Sequence, residues 1–588
     1  MRRIALITAV FILISFSALV SCNRSELPNG TENSNRQNNT EEVTEEMTAE
    51  TKKETQKVTD KPNKEQLLSK TKISPTSYRV EEIKNVSDTV SGSFDKWQGE
   101  VIKNGKNNDN PTENSVIFSP FHTLEINGIE VPVYTARCGK GAHSFAWVDI
   151  TSDGSFLLDV SLSLSVNVRK CVILPLSNGT EPELSGNTVK CEIDSTGSFT
   201  FTFSDSAEAS VTDPVLAPLT LMVCRSERFS VPSGYKTVET EPGYHENNEL
   251  IFTEERAVYV IKKGFHDISS ISLPSNSVLF IEQGAYIQVT DRKNANGSNN
   301  TDTAIHADYV NNVSIISRGL LDCGKLMGGD GKYKHVVNAA CSKDVTIRGL
   351  TVINANTWTI CAYDSQSPVI EQNLLLSYRT YSDGIMMSEC VGGIGRNNFV
   401  RTGDDAVEFK GTGWWSNGKT GSACVYENNA IWTDKGAGYC LTWESARPMN
   451  NMIFRNNSIG FAQPTWTERN TAIDCLLGTN PETSWSDITF ENIEIYHVIS
   501  PNVINIQVDG EGAKLENITF RNIYVFSAEK NVHAFRMKFS AKRGFIKNIT
   551  LQNISFCNNV LTQKDISNSL LFCNEASKYF EEISIENN

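Results

Sequence analysis

The sequence contains no pattern that is typical of a metal or redox site, and it has fewer basic than acidic residues. Its 14 cysteines and 8 histidines include no Cys-x-x-Cys pair and no Cys/His cluster. Neither a zinc site nor a dithiol site is therefore predicted, and we expect no cofactor. The chain has 54 Lys and Arg against 69 Asp and Glu, a formal net charge of −15. A surface of this sign repels polyanions, which argues against nucleic acid as a partner.

Aromatic residues are absent from the stretch between Cys22 and Tyr78. That stretch consists mainly of Glu, Thr, Asn and Lys, so it has almost no apolar surface to bury. Such a composition cannot offset the entropy lost on ordering the chain. We therefore predict that residues 23–73 form a disordered tether.

One apolar run, residues 4–19, stands at the N-terminus behind Arg2 and Arg3. A basic start followed by a short apolar run is typical of a secretory signal. Leu19–Cys22 resembles a bacterial lipobox, which implies lipidation of Cys22. An ordinary signal peptide or a single membrane span are the alternatives, and each of them predicts export. We expect a monomeric cell-surface lipoprotein or a secreted protein that touches the membrane only through its lipid anchor.

Two kinds of β-strand pattern follow the tether. Residues 116–224 contain short alternating strands separated by Asp-Gly, Asn-Gly or Ser-Gly turns, which is typical of an antiparallel sandwich. Farther on, a polar residue followed by a short apolar strand recurs, as in Asp487-Ile-Thr-Phe490 and Asn517-Ile-Thr-Phe520. The spacing is about 30 to 36 residues late in the chain and falls near 20 in the middle. Short strands at this period, with no helical period, indicate the coils of a solenoid.

The predicted fold is thus all-β, with a right-handed parallel β-helix preceded by an N-terminal β-sandwich. The predicted boundaries are a signal peptide at 1–22, the tether at 23–73, the sandwich at 74–235 and the β-helix at 236–588. Six cysteines about one coil apart are expected to pack as small apolar residues in the core of the helix, with few disulfides. They are Cys323, Cys341, Cys361, Cys390, Cys424 and Cys440.

Three aspartates stand in the most irregular coils. Asp383 precedes Asp404 and Asp405 by 21 and 22 residues, about one coil, so the three carboxylates should lie close together. They cannot all be ionised comfortably, and one should keep its proton near neutral pH. Glycoside hydrolysis needs one carboxylic acid and at least one carboxylate. The alternative is that these are solvated turn residues. Because adjacent strand residues point to opposite faces, the pair can share a cleft only if the backbone bends, and Gly403 could supply that bend.

This arrangement resembles the β-helix clan that contains glycoside hydrolase families 28 and 49, which share a lone Asp followed one coil later by an Asp-Asp pair. The resemblance covers roughly residues 240–560. Family 28, the polygalacturonases, carries a Gly-His-Gly and an Arg-x-Lys, whereas residues 435–439 here read Lys-Gly-Ala-Gly-Tyr. Family 49, the dextranases and isopullulanases, lacks those residues and has a β-sandwich before the helix. The sequence is therefore more similar to family 49.

The resemblance implies an inverting glycoside hydrolase acting on a polysaccharide such as dextran. Asp404 would be the general acid, and Asp383 and Asp405 would activate the attacking water. Coil spacing alone is compatible with both the inverting and the retaining separations of the two carboxylates. A family-28-like hydrolase on another polysaccharide and a non-catalytic glycan-binding β-helix are the alternatives. A calcium-dependent lyase would also use this fold, but it would eliminate instead of hydrolysing.

Several residues around the aspartates are candidates for binding sugar, because flat rings stack on sugar faces and charged groups bind hydroxyls. The alternative is that the tryptophans pack a loop and that Lys410 pairs with Glu408. The candidates are Lys410, Trp414, Trp415, Trp443, Glu444 and Arg447.

Overall fold

The structure is a computed structural model, and it describes most of the chain after residue 62. The described ranges are 63–81, 83, 116–138, 141–206, 216–226, 229–245, 248–291, 303–326, 334–413, 420–441, 445–462, 471–478, 483–539, 545–568, 572–573 and 583–587. The predicted signal peptide, Cys22 and residues 23–62 of the predicted tether lie outside these ranges. Within them, no helix has the length and apolar character needed to cross a membrane.

A short helix, Lys64–Lys70, is the first described element. Asn63 caps it, since the Asn63 side chain accepts a hydrogen bond from the Gln66 N–H at 2.8 Å. The strand Ile73–Pro75 follows and pairs antiparallel with residues 148–150. The predicted tether therefore extends too far, because residues 64–73 are ordered by a capped helix and by a sheet contact that composition alone does not reveal.

Two sheets precede the solenoid, and we call them the two-sheet unit. The seven-stranded sheet consists of Ile73–Pro75, Val116–Phe118, Tyr134–Cys138, Gly141–Ile150, Lys170–Leu174, Gly197–Ser204 and Leu219–Arg225. The five-stranded sheet consists of His122–Ile126, Ile129–Val131, Leu158–Leu164, Glu183–Ser185 and Thr188–Ile193. A 3-10 turn lies at Leu176–Asn178.

Both sheets contribute to one hydrophobic cluster. Leu124 and Leu158 come from the five-stranded sheet, and Val148, Phe199 and Leu221 come from the seven-stranded sheet. One pairing departs from the antiparallel pattern that the sequence predicts, because residues 219–225 run parallel to residues 144–150. These two strands are far apart in the sequence, so no tight hairpin forces them to run in opposite directions.

From residue 236 onward the chain winds into a parallel β-helix. Each coil supplies strands to three rows, which we call A, B and C in chain order, and the strands of a row pair in parallel from one coil to the next. The short strand Asn559–Val560 instead pairs antiparallel with residues 555–556. In the later coils, rows A and B merge into single long strands. The first strand of row A begins at Lys236.

The rows have the following members. Row A contains Lys236–Thr240, Ala257–Ile261, Ser277–Ile281, Asn311–Ser317, Lys343–Arg348, Val369–Glu371, Ile394–Arg396, Gly421–Ser422 and Val425–Glu427. Row B contains Gly243–Tyr244, Gly264–Ile268, Ala285–Val289, Leu320–Asp322, Thr351–Ile353, Leu374–Leu376, Phe399–Thr402 and Ala430–Thr433. The merged strands are Met449–Ala462, Ser484–Ile495, Lys514–Val525 and Phe545–Phe556, followed by Asn559–Val560, a 3-10 turn at Gln563–Ser567, and Ile583–Glu586. Row C contains Glu249–Ile251, Ser270–Ser272, Ile305–His306, Val337–Ala340, Ile360–Tyr363, Ile385–Ser388, Val407–Phe409, Tyr439–Leu441, Ile473–Leu477, Asn502–Val508, His533–Phe539 and Phe572–Cys573.

None of the cysteines whose side chains the structure describes forms a disulfide. Cys323, Cys390 and Cys424 lie in the core of the solenoid, as expected for small apolar residues. Cys361 and Cys440 instead alternate with core residues of row C, so they face outward. Spacing of one coil places the cysteines at equivalent positions in successive coils. Whether a cysteine faces the core or the outside depends on its position along the strand, because adjacent residues point to opposite faces.

A ladder of buried asparagines lies at the corner between rows A and B, and it fixes the register between neighbouring coils. The side chain of Asn398 donates to Ile370 O and to the Asn429 side chain at 3.0 and 2.9 Å, and it accepts from the backbone and side-chain N–H groups of Asn373. Asn429 makes the same contacts with Asn457 in the next coil. Buried amides of this kind satisfy the backbone at each corner, where the strand ladder is interrupted.

The two-sheet unit packs directly on row B. The contact is one hydrophobic cluster that contains Tyr78, Tyr134, Phe145 and Trp147 of the unit and Leu320, Leu374, Leu376 and Phe399 of the solenoid. A buried ion pair joins them as well, with Arg318 Nε 3.1 Å from both carboxylate oxygens of Asp149. Removing one partner of such a pair would leave an uncompensated buried charge.

Replacing Asn398 by Ala should destabilise the protein by about 2–4 kcal/mol, because several buried backbone and side-chain groups would lose their partners. Urea unfolding followed by circular dichroism measures the change. Asn548→Ala is the matched control, since Asn548 is an exposed corner residue whose amide bonds only to Asn517. Equal losses in the two variants would contradict a register role for the buried ladder.

Candidate active site

The strand register places Asp383 directly beside Asp405. The Gly384 N–H donates to Asp405 O at 2.9 Å, and the Thr359 N–H donates to Asp383 O at 2.8 Å. Neighbouring strands lie about 4.8 Å apart, so the two aspartates stand one strand spacing from each other at the start of row C. The structure thus brings together the residues that the 22-residue spacing predicted to be neighbours.

Backbone hydrogen bonds orient the aspartate pair. Asp404 accepts from the Tyr381 N–H and from the Asp405 N–H, both at 3.1 Å. Asp405 accepts from the Ala437 N–H at 2.5 Å. Asp404 is therefore bonded to the preceding coil and Asp405 to the following one. Asp404 is buried and Asp405 is half-buried.

Two glycines allow the coils to close around this pair. A Cβ atom on Gly403 would lie 2.2 Å from Arg379 O, and one on Gly436 would lie 2.4 Å from the backbone of Asp404 and Asp405. Such distances are far inside van der Waals contact. Gly403 was predicted to supply a bend, and its necessity in the structure comes from this close approach of the neighbouring backbone.

A fourth carboxylate, Glu408, belongs to the same cluster. Glu408 and Lys410 alternate with core residues along row C, so both side chains leave the same outer face. Lys410 Nζ lies 2.9 Å from Glu408 Oε1 and 3.9 Å from Asp383 Oδ2. It also lies 4.8 Å from the centre of the Trp358 ring. The sequence indicated Glu408 only as a possible partner of Lys410, and the distances show that it is that partner.

Burial dominates the protonation of the cluster. Burial and the charge of Glu408 raise the pKa of Asp383 well above its ordinary value. Burial and the charge of Asp405 raise the pKa of Asp404 to about 8. Burial also raises the pKa of Glu408 to about 8, although the Lys410 ammonium opposes the shift. The cluster therefore retains protons at neutral pH, as closely spaced buried carboxylates must.

The predicted sugar-binding residues differ in position. Lys410 is only 4% exposed and pairs with carboxylates of the cluster. Arg447 is half-buried beside Gly411 and Gly413, and its N–H donates to Gly411 O at 2.8 Å. It thus lies past the end of the strand that carries Glu408 and Lys410. Trp414, Trp415, Trp443 and Glu444 lie outside the described residues.

Three groups of the cluster could in principle hold a cation. Donor atoms of Asp405, Glu408 and Cys440 all lie within 4.8 Å of one another. The Lys410 ammonium lies 2.9 Å from Glu408 Oε1, and a divalent ion bound there would be repelled by it. The arrangement therefore favours sharing of protons among carboxylates over binding of a metal.

The two-sheet unit contacts the chain immediately before the two turns that carry Asp383 and the aspartate pair. Arg401, near the end of its row B strand, forms two hydrogen bonds with Asp434 at 2.8 and 3.0 Å, and its Nη1 lies 3.2 Å from His143 Nδ1 of the unit. Burial lowers the pKa of His143 well below its ordinary value, so the ring is neutral and can accept this bond. Arg137 of the unit lies over the ring of Tyr378 at 4.0 Å. The turns that carry the aspartates are therefore braced from outside the solenoid.

Comparison with known proteins bears on the fold. No family model matches the chain, and no curated protein matches it by sequence. Among solved structures, Dex49A from Penicillium minioluteum matches with a TM-score of 0.59 and 12% identity, over 82% of this chain and 96% of that one. The chain has the fold of Dex49A. A family 28 exopolygalacturonase from Yersinia enterocolitica matches with a TM-score of 0.43 and 11% identity, over 73% of this chain and 96% of that one. An exopolygalacturonase from Thermotoga maritima matches with a TM-score of 0.39 and 16% identity, over 51% and 80%.

The match to Dex49A confirms a parallel β-helix, which is the fold that the resemblance implied. The two polygalacturonase matches have TM-scores below 0.5 and add no argument. At 12% identity the match to Dex49A does not transfer a reaction. The evidence for a reaction therefore lies in the carboxylates of this chain.

Protonation of the cluster should make stability depend on pH. Asp404 has an unfolded pKa of about 4 and a folded pKa of about 8, so the folded state binds the proton more tightly. The stabilisation of the folded state by the Asp404 proton is fully present below about pH 4 and is lost as the pH rises through about 8. Asp404→Asn should therefore flatten the fall in urea midpoint between pH 4 and 8. Asp344→Asn, at an exposed corner, is the control, and an unchanged slope in Asp404→Asn would contradict the raised pKa.

Proposed function

We propose that this protein is an extracellular glycoside hydrolase that cleaves a polysaccharide by an inverting mechanism, with Asp404 as general acid. The observation that carries the proposal is the packing of buried Asp404 next to Asp405 in one cluster with Asp383, and burial and the Asp405 charge raise the pKa of Asp404 to about 8. A carboxylic acid that holds its proton at neutral pH can donate it to the leaving glycosidic oxygen. The aspartate pair also stands one strand from Asp383, so acid and base functions are available within one cluster.

Water activation falls to the other members of the cluster. Asp405 is half-buried and is oriented by the hydrogen bond that it accepts from the Ala437 N–H. Asp383 and Glu408 both lie near the Lys410 ammonium, at 3.9 and 2.9 Å, and the ammonium offsets part of their charge. In this scheme Asp405 removes the proton from water while water attacks the anomeric carbon, and Asp383 holds the water. Asp404 then protonates the departing sugar oxygen, so that the cleaved bond takes up one proton and one hydroxide.

The charge of the site favours a neutral substrate. Four carboxylates stand against one ammonium in the described part of the cluster, namely Asp383, Asp404, Asp405, Glu408 and Lys410. A polyanionic chain such as polygalacturonate would bring further negative charge into a buried site, which is costly. We therefore propose an α-glucan such as dextran as substrate. A family-28-like hydrolase on another polysaccharide and a non-catalytic glycan-binding β-helix are the competing functions.

Asparagine variants test the division of roles. Asp404→Asn should reduce kcat on polysaccharide by about 10²–10⁴, the usual range for loss of a general acid, and by much less on an activated aryl glycoside. Asp383→Asn and Asp405→Asn should lose similar amounts on both substrates, because both substrates need an activated water. Product anomers followed by NMR should be inverted from the first turnover. Asp344→Asn is the control, and near-normal rates in all three variants would favour the glycan-binding alternative.

The proposed setting is the outside of the cell, because a basic and apolar start is followed by a lipobox-like Leu-Val-Ser-Cys. Cys22→Ala should block lipidation and release or misprocess the protein without changing its turnover. Fractionation of cells into membrane and soluble parts, with blotting, measures the effect. A variant that is cleaved normally and still stays with the membrane would contradict the lipoprotein proposal.

A further inference from the structure

A polar cleft lies between the two-sheet unit and the corner that joins rows A and B. It has a volume of about 490 Å³, within the range of about 300–1,000 Å³ that is usual for small-ligand sites. Its walls come from Asn178 and Ser198 of the two-sheet unit and from Asn397, Asn428, Glu494 and Tyr524 of the solenoid.

The cleft is separate from the carboxylate cluster. Asn397 stands just before the row B strand Phe399–Thr402, whereas Asp404 follows that strand. The cleft and the cluster therefore lie at opposite ends of the same strand. The two-sheet unit packs on row B between these two ends.

Asparagines form a second ladder at this corner, and the last bonded members of the ladder, Asn492 and Asn456, line the cleft. The amide of Asn522 donates to the Asn492 side chain at 2.8 Å, and that of Asn492 donates to Asn456 at 3.0 Å. Asn428 and Asn397 continue the same column in the two preceding coils, as their backbone bonds show. Within the part of the chain that the structure describes, the side-chain amides of Asn428 and Asn397 make no hydrogen bond. The side-chain amides of Asn397 and Asn428 are thus available to bind a ligand.

The closed side of the cleft is held in place by polar contacts. The Leu176 N–H donates to the Tyr496 hydroxyl at 2.7 Å, and the Ser177 N–H donates to Glu494 Oε2 at 3.4 Å. These bonds attach the 3-10 turn of the two-sheet unit to the solenoid. The cleft is therefore a pre-formed gap between two bodies that are fixed to each other, which lowers the entropic cost of binding.

The lining selects the chemical class of the ligand. It consists mostly of amides and hydroxyls, and Glu494 is the one charged residue among its lining residues. Without a cation in the lining, a phosphate or carboxylate would be buried unpaired. Tyr524 is 42% exposed, so one side of the cleft presents an aromatic ring with a polar edge. Amides, hydroxyls and one exposed ring suit a neutral polyhydroxylated ligand, which can donate and accept at every position and can stack its apolar face.

We propose that this cleft is a second, non-catalytic binding site for a neutral oligosaccharide segment. The identification of that segment as part of the substrate rests on the proposed function. A polymer held at the cleft has a raised effective concentration at the catalytic cluster, because both sites belong to one rigid body. Asn397 and Asn428 bind hydroxyls of the segment, and Tyr524 stacks on a sugar face.

Affinity gel electrophoresis of the full chain tests this site without relying on catalysis. The parent protein is Asp404→Asn, and the gels contain dextran, pullulan, xylan or galactan. Asn397→Ala/Asn428→Ala and Tyr524→Ala are made in that parent. Neither set removes a hydrogen bond that holds the fold. Asn548→Ala and Tyr244→Ala, with an exposed amide and an exposed ring away from the cleft, are the matched controls.

The parent should be retarded in at least one gel, and each cleft variant should bind that polysaccharide with a dissociation constant on the order of fivefold higher, the effect of losing about one good contact. The controls should match the parent. Equal retardation of cleft variants and parent, or no retardation of the parent in any gel, would overturn the proposal. Release of sugars by the unmutated chain is measured separately. Loss of that activity with retained cleft binding would refute the hydrolase, whereas hydrolysis without cleft binding would refute only the second site.

Discussion

Everything functional in this protein depends on the one-to-one register between neighbouring coils. The parallel ladder pairs Ile385 with Val407, and two residues earlier it sets Asp383 beside Asp405. A slip of one residue would turn each outer side chain into the core and would separate the carboxylates. The buried column Asn373, Asn398, Asn429 and Asn457 opposes such a slip, because a shifted coil would leave these amides without partners.

The register concentrates negative charge, and burial then decides how that charge is carried. Four carboxylates in a poorly solvated place cannot all ionise, so protons stay on the cluster at neutral pH. Lys410 compensates part of the charge from within the same strand face. Lys410, which is also a predicted sugar-binding residue, opposes the rise in the pKa of Glu408. The raised pKa values are a consequence of packing carboxylates at strand spacing and covering them.

The two-sheet unit contributes to both ends of the row B strand. At one end, His143 and Arg137 brace Arg401 and Tyr378, which precede the aspartate turns. At the other end, its 3-10 turn forms a wall of the polar cleft and is tied to Tyr496. One docking interface, built from buried aromatic and aliphatic side chains, thus supports the proposed catalytic cluster and the proposed second sugar site together.

The sequence by itself determined the repeat and the pairing of Asp383 with the aspartate pair. The spacing between repeats gives the length of a coil, and the register between coils follows from that length. It also predicted the strand-rich region before residue 236, although it did not reveal the parallel pairing of residues 219–225 or the order of residues 64–73. Which carboxylate keeps its proton, the role of Glu408 and Lys410, and the cleft at Asn397 and Asn428 were decided only by the tertiary structure. Protonation depends on burial and on every nearby charge, and a cleft depends on how two bodies dock. Both the protonation and the cleft depend on residues that are far apart in the chain, so no local sequence pattern predicts them.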